Sequence, residues 1–213
     1  MARETLNREK VLDAALRLAG EQGIAKLSMR RLAAELGVEA MSLYNHVANK
    51  ADLFDGMTAR VFESISLPDP GLPWQERLRL LAEQLYAAFT RHSVAMRALA
   101  AEQANPRSVG ALKVIDALLE TLLDAGLDER AAARGYRSVL GLVFGTVLTD
   151  TVGIAGTRAE RTEPAGSWFI TMVTAADTPS LCRILPALAE SDCVQDFAFQ
   201  LDLLIAGLRA SVS

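Results

Sequence analysis

Apolar residues recur at intervals of three and four along the first part of the chain, which is the period of amphipathic helices. The first run follows Asn7, a residue type that caps helices well, and stops at Gly20 and Gly23. A second run follows Ser28 and stops at Gly37, where glycine readily takes the left-handed conformation that ends a helix. The pattern therefore predicts four helices, the third short and largely polar, within about 7–20, 28–37, 39–47 and 49–65.

Residues 66–73 interrupt this pattern, because three prolines and a glycine in eight positions exclude a helix. We predict a domain of residues 1–65, a linker of 66–73 and a larger domain of 74–213. Helical patterns resume at Pro73-Trp74 and no alternating strand pattern follows, so the predicted fold class is all-α. The predicted helices of the larger domain lie within about 74–89, 95–101, 108–125, 129–152, 167–176, 180–189 and 194–210, with a mobile loop at 153–166.

Composition narrows the class of protein. Of the 213 residues, 51% are apolar and 23% are charged, which excludes a disordered chain, and the net charge of −4 restricts any contact with nucleic acid to a local patch. The longest apolar run, 139–148, is shorter than the roughly 20 residues of a membrane span, and no signal-peptide core follows Met1. We expect a cytoplasmic protein with no membrane partner, in which Cys182 and Cys193 are reduced core residues, although their spacing would allow a disulfide in an oxidising compartment.

Residues 28–46 have the order helix, tight turn at Gly37, short helix, which is typical of a helix-turn-helix motif. At about 100° per residue, the second helix has one side that packs and an opposite side that is free to read base edges in a major groove. The packing side consists of Ala40, Leu43 and Val47, and the free side of Met41 and Asn45 flanked by Ser42 and Tyr44. Candidates for contacts with phosphate are Ser28, Arg30, Tyr44, His46 and Lys50. Residues 26–50 carry only two more basic than acidic side chains, so an ordinary helical hairpin stays open at this point.

The motif also has a family resemblance. Residues 27–53, LSMRRLAAELGVEAMSLYNHVANKADL, closely resemble the DNA-binding domain of the tetracycline-repressor (TetR) family, and the similarity extends over about 7–65. More loosely, Trp74-Gln75, 145–148 and 201–208 resemble the ligand-binding domain of the tetracycline repressors themselves. The resemblance implies a homodimer that binds a palindromic operator in double-stranded DNA and is released by a small molecule bound in the larger domain.

Carried over position by position, the resemblance also implies which residues contact DNA. These are Ser28, Met29, Arg30, Glu39, Ala40, Met41, Ser42, Tyr44, Asn45, His46 and Lys50. Two departures matter, because Ala40 and Met41 stand where the tetracycline repressors have an amide and a proline, and Asn45 replaces an aromatic residue. Apolar side chains contact thymine methyls but donate no hydrogen bond to a purine, so we expect a different operator sequence.

The resemblance further implies an effector site. The tetracycline repressors bind a drug–magnesium chelate through histidines and a carboxylate, and the matching positions near Leu99, Gly141 and Thr149 carry none of these groups. We therefore expect no metal, no cofactor and no tetracycline, but an unknown small-molecule effector in a largely apolar pocket. Candidate lining residues are Tyr86, Phe89, His92, Met96, Phe144, Trp168 and Met172, with Arg137 or Thr149 as polar anchors, although core packing explains each of them singly as well.

The helices at 129–152 and 194–210 are the predicted dimer surface. They are too apolar for two-layer packing alone, and Gly135, Gly141 and Gly145 allow close approach of a partner helix, although packing within one subunit is the alternative for the Gly141-to-Gly145 spacing. In the family such helices form a four-helix interface, which would space two recognition helices about 34 to 36 Å apart, one turn of DNA. A ligand that favours a wider spacing would release the operator.

The sequence also bears on two other classes of protein, an enzyme and a protein-interaction adaptor. The sequence has no glycine-rich phosphate loop, no Cys-x-x-Cys or histidine cluster and no nucleophile elbow, so an enzyme is not expected. A helical protein-interaction adaptor is the alternative, together with a regulator that lacks an effector. An adaptor would more often have an apolar groove where Ser42, Tyr44 and Asn45 present a polar face.

Overall fold

A computed structural model of the chain describes residues 6–100, 108–152, 178–189 and 192–212. Among these residues every regular element is a helix, which agrees with the predicted all-α class. The elements are α1 (Arg8–Gln22), a 3₁₀ turn (Ile24–Lys26), α2 (Met29–Leu36), α3 (Ala40–Leu43), α4 (Lys50–Glu63), α5 (Trp74–Arg91), α6 (Ser93–Ala100), α7 (Val109–Asp124), α8 (Glu129–Val152), α9 (Pro179–Ala189) and α10 (Cys193–Ala210). The predicted loop at 153–166 and helix at 167–176 lie outside the described residues.

The helices begin and end at the residues that the sequence marks. The side chains of Asn7, Ser28 and Asn49 each accept a hydrogen bond from the backbone N–H three residues later, as helix caps do. Gly37 ends α2 with a φ of 64°, a left-handed conformation that costs a glycine little. Pro73 directly precedes α5, as predicted.

The third helix is shorter than the predicted 39–47. It makes one α-helical turn, after which residues 44–46 form a turn in which the N–H groups of His46 and Val47 both donate to the Leu43 carbonyl, at 2.9 and 3.0 Å. Val47 is 1% exposed and so stays on the packing side, although the residues before it are not α-helical. The helix has to end before Asn49, whose extended backbone starts α4.

One continuous apolar core extends from α1 to α10. Helix α4 joins its two parts, because it packs against α1 on one side and against α5, α6 and α7 on the other. Residues 65–73 contain no helix, which agrees with the break predicted there. The break in the helices is not a break in the core, and the division into two domains stays a prediction.

The larger part is built on α5 and α8, which pack together and against α7, while α10 packs against α8 and α5. Arg79 of α5 pairs with Asp202 of α10, and the buried Arg77 pairs with Asp124 at the end of α7. No helix in the described ranges is long and apolar enough to cross a membrane.

Two predictions about this part are wrong. Cys182 and Cys193 are exposed rather than core residues: Cys182 lies within α9 and Cys193 is the first residue of α10. Gly135 does not face outward, since a Cβ placed on it would lie 3.2 Å from Leu122 of the same subunit. Gly141 and Gly145, by contrast, have nothing within 4 Å of such a Cβ.

Candidate functional site

Helices α2 and α3 form a compact helix-turn-helix. The turn is fixed by Gly37 and by the N–H of Val38, which donates to the Ala33 carbonyl at 3.0 Å. Leu32 and Leu43 have no exposed surface, so the two helices are held together by fully buried side chains. Such burial stabilises by roughly 1.5–3 kcal/mol per large apolar side chain, which is enough to hold a one-turn helix against α2.

The side of α3 that faces away from this core is open. Met41 is 73% exposed and Tyr44 is 45% exposed, and Glu39 and Asn45 are exposed as well. The other candidate positions of this segment, Ala40, Ser42 and His46, are half-buried. The exposed surface thus follows the predicted division into a packing and a free side, while contacts of these residues with DNA remain a prediction.

The candidates for phosphate contacts lie at the start of α2 and of α4. Arg30 and Lys50 are exposed, and the Lys50 ammonium lies 5.4 Å from the centre of the Phe54 ring. Ser28 is exposed while its hydroxyl caps α2 by accepting from Arg31 N–H at 3.3 Å, and Met29 is half-buried. The free N–H groups of the first turn of α2 provide a place for an anion.

Two charged residues that the sequence analysis did not single out support this surface. The Arg8 guanidinium donates to both carboxylate oxygens of Asp52, with Nη2–Oδ1 at 2.6 Å and Nη1–Oδ2 at 3.0 Å, and also to the His46 carbonyl at 2.6 Å. Asp52 in turn accepts from the Ala48 N–H at 2.7 Å. The hydrogen bonds from Arg8 lower the pKa of Asp52, and those to Asp52 raise the pKa of Arg8, so both groups are charged at neutral pH. No local sequence signal links them, because they are 44 positions apart.

A small apolar cavity lies between α4, α5, α6, α7 and α8. Its volume is about 80 Å³, and the Tyr136 side chain is the one with a polar group in its lining. The lining residues are Phe62, Leu85, Leu99, Val114, Ile115, Leu118, Tyr136, Leu140 and Phe144. Of the predicted lining residues that the structure describes, only Phe144 lines this cavity, and Trp168 and Met172 lie outside the described residues.

The other predicted effector residues lie elsewhere. Phe89 and Met96 are buried in the core, where the Phe89 ring contacts those of Phe62 and Phe144 edge-on, at 5.2 and 5.4 Å between centroids. Tyr86 stacks on Phe197 at 4.3 Å and donates to Asp150 at 2.7 Å, and burial followed by this carboxylate raises its pKa.

Three further predictions need correction. His92 does not line the apolar cavity but a charged surface cleft between α1, α4 and the end of α5. Burial and, secondarily, the charge of Arg91 lower its pKa. Arg137 and Thr149 are exposed, and the Thr149 hydroxyl donates to the Thr146 carbonyl of its own helix, so neither anchors a molecule in this cavity. Sequence periodicity identified the helices that contain these residues but not the direction in which each side chain points.

Leu99, Gly141 and Thr149 lie near the positions that the resemblance matches to the chelate-binding residues of the tetracycline repressors. Leu99 lines the cavity, and Gly141 and Thr149 are exposed. Across the described residues no group of three or more histidine, cysteine and acidic side chains is arranged to hold a metal ion. The side chains of Leu99, Gly141 and Thr149 therefore provide no imidazole or carboxylate for a metal chelate.

Comparisons with known proteins cover both parts of the chain. Residues 11–57 match the family model described as "Bacterial regulatory proteins, tetR family", and residues 67–212 match that of "Tetracyclin repressor-like, C-terminal domain". The tetracycline repressor protein class D of Escherichia coli is 43% identical over 90 residues, which is 41% of this chain and 41% of that protein. The chain thus aligns with about two fifths of the length of that repressor.

Solved structures agree over a longer range. The crystal structure of a possible TetR family transcriptional regulator from Streptomyces coelicolor A3(2) has a TM-score of 0.81 and 31% identity, covering 96% of this chain and all of that chain. The TetR family protein ActR of Streptomyces coelicolor, solved in complex with actinorhodin, has a TM-score of 0.79 and 25% identity over 98% of this chain and 99% of that one.

Proposed function

Because the chain belongs to the tetracycline-repressor (TetR) family of bacterial regulatory proteins, we propose that it is a transcriptional repressor, not an enzyme, that binds an operator in double-stranded DNA and leaves it when a small molecule binds. Residues 1–65 bind DNA, and 74–213 form the effector-binding and dimerisation domain, with 66–73 as the linker. The observation that carries this proposal is the helix-turn-helix, in which buried Leu32 and Leu43 hold α3 so that Met41 and Tyr44 face outward.

Operator reading is divided between two groups of residues. The exposed Met41 and Asn45, with Ala40 and Ser42, face the base edges, where the apolar side chains favour thymine methyls and the amide and hydroxyl groups add hydrogen bonds. Ser28, Arg30, Tyr44, His46 and Lys50 set the depth of α3 through the sugar-phosphate backbone, and Met29 and Glu39 complete the DNA-contacting surface.

The repressor acts as a homodimer. Helix α10 carries three large apolar side chains that are exposed in a single subunit, namely Val194 at 67%, Phe199 at 64% and Leu203 at 59%. The neighbouring α8 exposes Gly141 and Gly145, whose lack of a side chain leaves room for a helix of a second subunit. Pairing these faces about a two-fold axis buries the apolar surface and presents two copies of α3 to a palindrome.

The effector binds at the apolar cavity beside Phe144. ActR, which is similar over nearly the whole chain, has been solved with actinorhodin bound, so this fold accommodates a small molecule. The cavity walls supply apolar contacts and the Tyr136 hydroxyl one polar group, which suits a largely apolar effector. Phe62 belongs both to the cavity wall and to α4, so a molecule that displaces Phe62 acts on the helix whose first turn carries Asp52.

Selection of bound duplexes from a random DNA pool by the purified protein tests the proposal directly. We expect enrichment of a palindrome whose half-site centres lie about one DNA turn apart, with affinity that falls as salt rises because phosphate contacts release counterions. A folded protein, freed of any co-purified molecule, that enriches no sequence at low salt would refute the proposal.

A further inference from the structure

The Arg8 side chain connects three segments that meet at the end of the recognition region. It starts on α1, donates to the His46 carbonyl just after α3, and forms a two-point ion pair with Asp52 in the first turn of α4. Asp52 completes the connection by accepting from the Ala48 N–H at 2.7 Å. The same ion pair therefore holds the backbone on both sides of Val47, through the His46 carbonyl and the Ala48 N–H.

This connection matters because α3 has little stability of its own. A helix of four residues has no independent stability, since nucleation costs more than one turn of hydrogen bonds returns. Leu43 and Val47 anchor its inner side, but apolar contacts are not directional and leave the helix free to rotate or slide by small amounts. Hydrogen bonds to charged groups are directional and strong, so the Arg8–Asp52 pair fixes what the apolar anchors leave free.

We propose that Arg8 and Asp52 are positioning residues for operator binding, which fix the segment from His46 to Ala48, and through it α3, without contacting DNA. This inference rests on the proposed function. The guanidinium of Arg8 already binds two partners and its charge is matched by Asp52, so it is not assigned a phosphate. Its effect on affinity is therefore exerted through the geometry of α3.

The chain provides a matched control pair. Arg60 of α4 and Asp13 of α1 form a second two-point ion pair between the same two helices, with Nε–Oδ1 at 3.0 Å and Nη2–Oδ2 at 3.1 Å. Its side chains are 32% and 54% exposed, against 44% and 31% for Arg8 and Asp52. Arg60 forms its ion pairs with Asp13 and Glu63, both of which lie outside residues 39–48, so this pair shares the ion-pair chemistry without the connection to α3.

The test compares single and double variants of both pairs on the operator obtained by duplex selection. Arg8→Met and Asp52→Asn should each weaken operator binding by about tenfold, a loss of about 1.4 kcal/mol, and the double variant by no more than the larger single effect, because either change breaks the same connection. Arg8→Lys, which retains the charge but not the two-point geometry, should bind with intermediate affinity. Arg60→Met and Asp13→Asn should leave operator affinity within about twofold. They should change the melting temperature about as much as Arg8→Met and Asp52→Asn do.

Salt titrations separate positioning from direct contact. The slope of log affinity against log salt should be the same for Arg8→Met and the unchanged protein, because no phosphate contact is lost. A slope reduced by about one, additive losses in the double variant, or equal losses in the Arg60 pair would overturn the proposal. An unchanged protein that binds no duplex would refute the proposed function and this inference with it, whereas normal binding by Arg8→Met and Asp52→Asn would refute the inference alone.

Discussion

Replacing Val114 with isoleucine should stabilise the protein, because the added methylene enters an existing cavity. Val114 is 2% exposed and lines the 80 Å³ cavity between α4 and α8. At about 24 cal/mol per Å³, an empty volume of this size costs about 2 kcal/mol, and one methylene buried in it returns about 0.8 kcal/mol. Valine and isoleucine have similar rotamer restrictions in a helix, so the exchange adds little other change.

Unfolding in urea at fixed protein concentration would measure the effect. We expect the free energy of unfolding to rise by about 0.5–1 kcal/mol, which for a chain of this size raises the melting temperature by about 1–4 °C. Val143→Ile is the control, because Val143 has no exposed surface and does not line the cavity, so the same methylene overpacks the core and costs about 1–3 kcal/mol. If Val114→Ile and Val143→Ile change the free energy of unfolding in the same direction, the free volume does not lie beside Val114 as inferred.

Three other predictions follow from the surface residues. Tyr44→Ala should weaken binding to operator and to unrelated DNA by a similar factor and leave the dimer intact, which filter binding and light scattering would measure; selective loss on the operator would contradict a contact with the backbone. Leu203→Glu should convert the dimer to a monomer in light scattering, because it places charge in an apolar interface, whereas Leu112→Glu on α7, with its side chain similarly exposed, should not. The lowered pKa of His92 means that the unfolded chain binds more protons than the folded one below about pH 7, so the free energy of unfolding falls as pH decreases through this range. His92→Gln should flatten this part of a urea-unfolding series between pH 7.5 and 5, and an unchanged slope would show that the histidine is not responsible.

Local sequence signals predicted the helices well because their causes are local. A cap needs only the side chain of Asn7 or Ser28 and a backbone N–H three residues later, and the turn after α2 needs only a glycine at position 37. The packing and free sides of residues 40–47 also followed from the sequence, since Leu43 and Val47 are buried and Met41 and Asn45 are exposed, although only Ala40–Leu43 is α-helical. These features require no knowledge of which helices meet.

The cavity and the ion pair could not be predicted in this way. Phe62 falls within the predicted DNA-binding domain, yet it lines the apolar cavity because α4 packs against both parts of the molecule. Periodicity places Leu99, Val114 and Leu118 on apolar faces but does not show that those faces leave a void between them. Arg8 and Asp52 lie in ordinary charged positions near helix starts, and only the packing of α1 on α4 brings them together.

The size of the cavity sets a requirement on how an effector acts. Shifting a two-state equilibrium from 1:99 to 99:1 takes about 5.5 kcal/mol of differential binding, which corresponds to about 220 Å² of additional apolar surface buried in the released state. A buried aromatic side chain covers about that area, and an apolar cavity that holds benzene has about 150 Å³, against 80 Å³ here. An effector large enough to release the operator therefore does not fit unless the wall yields. Since the wall includes Phe62 and the first turn of the same helix carries Asp52, we expect an effector that enlarges the cavity at Phe62 to shift α4 and, through the Arg8–Asp52 pair, the segment that follows α3.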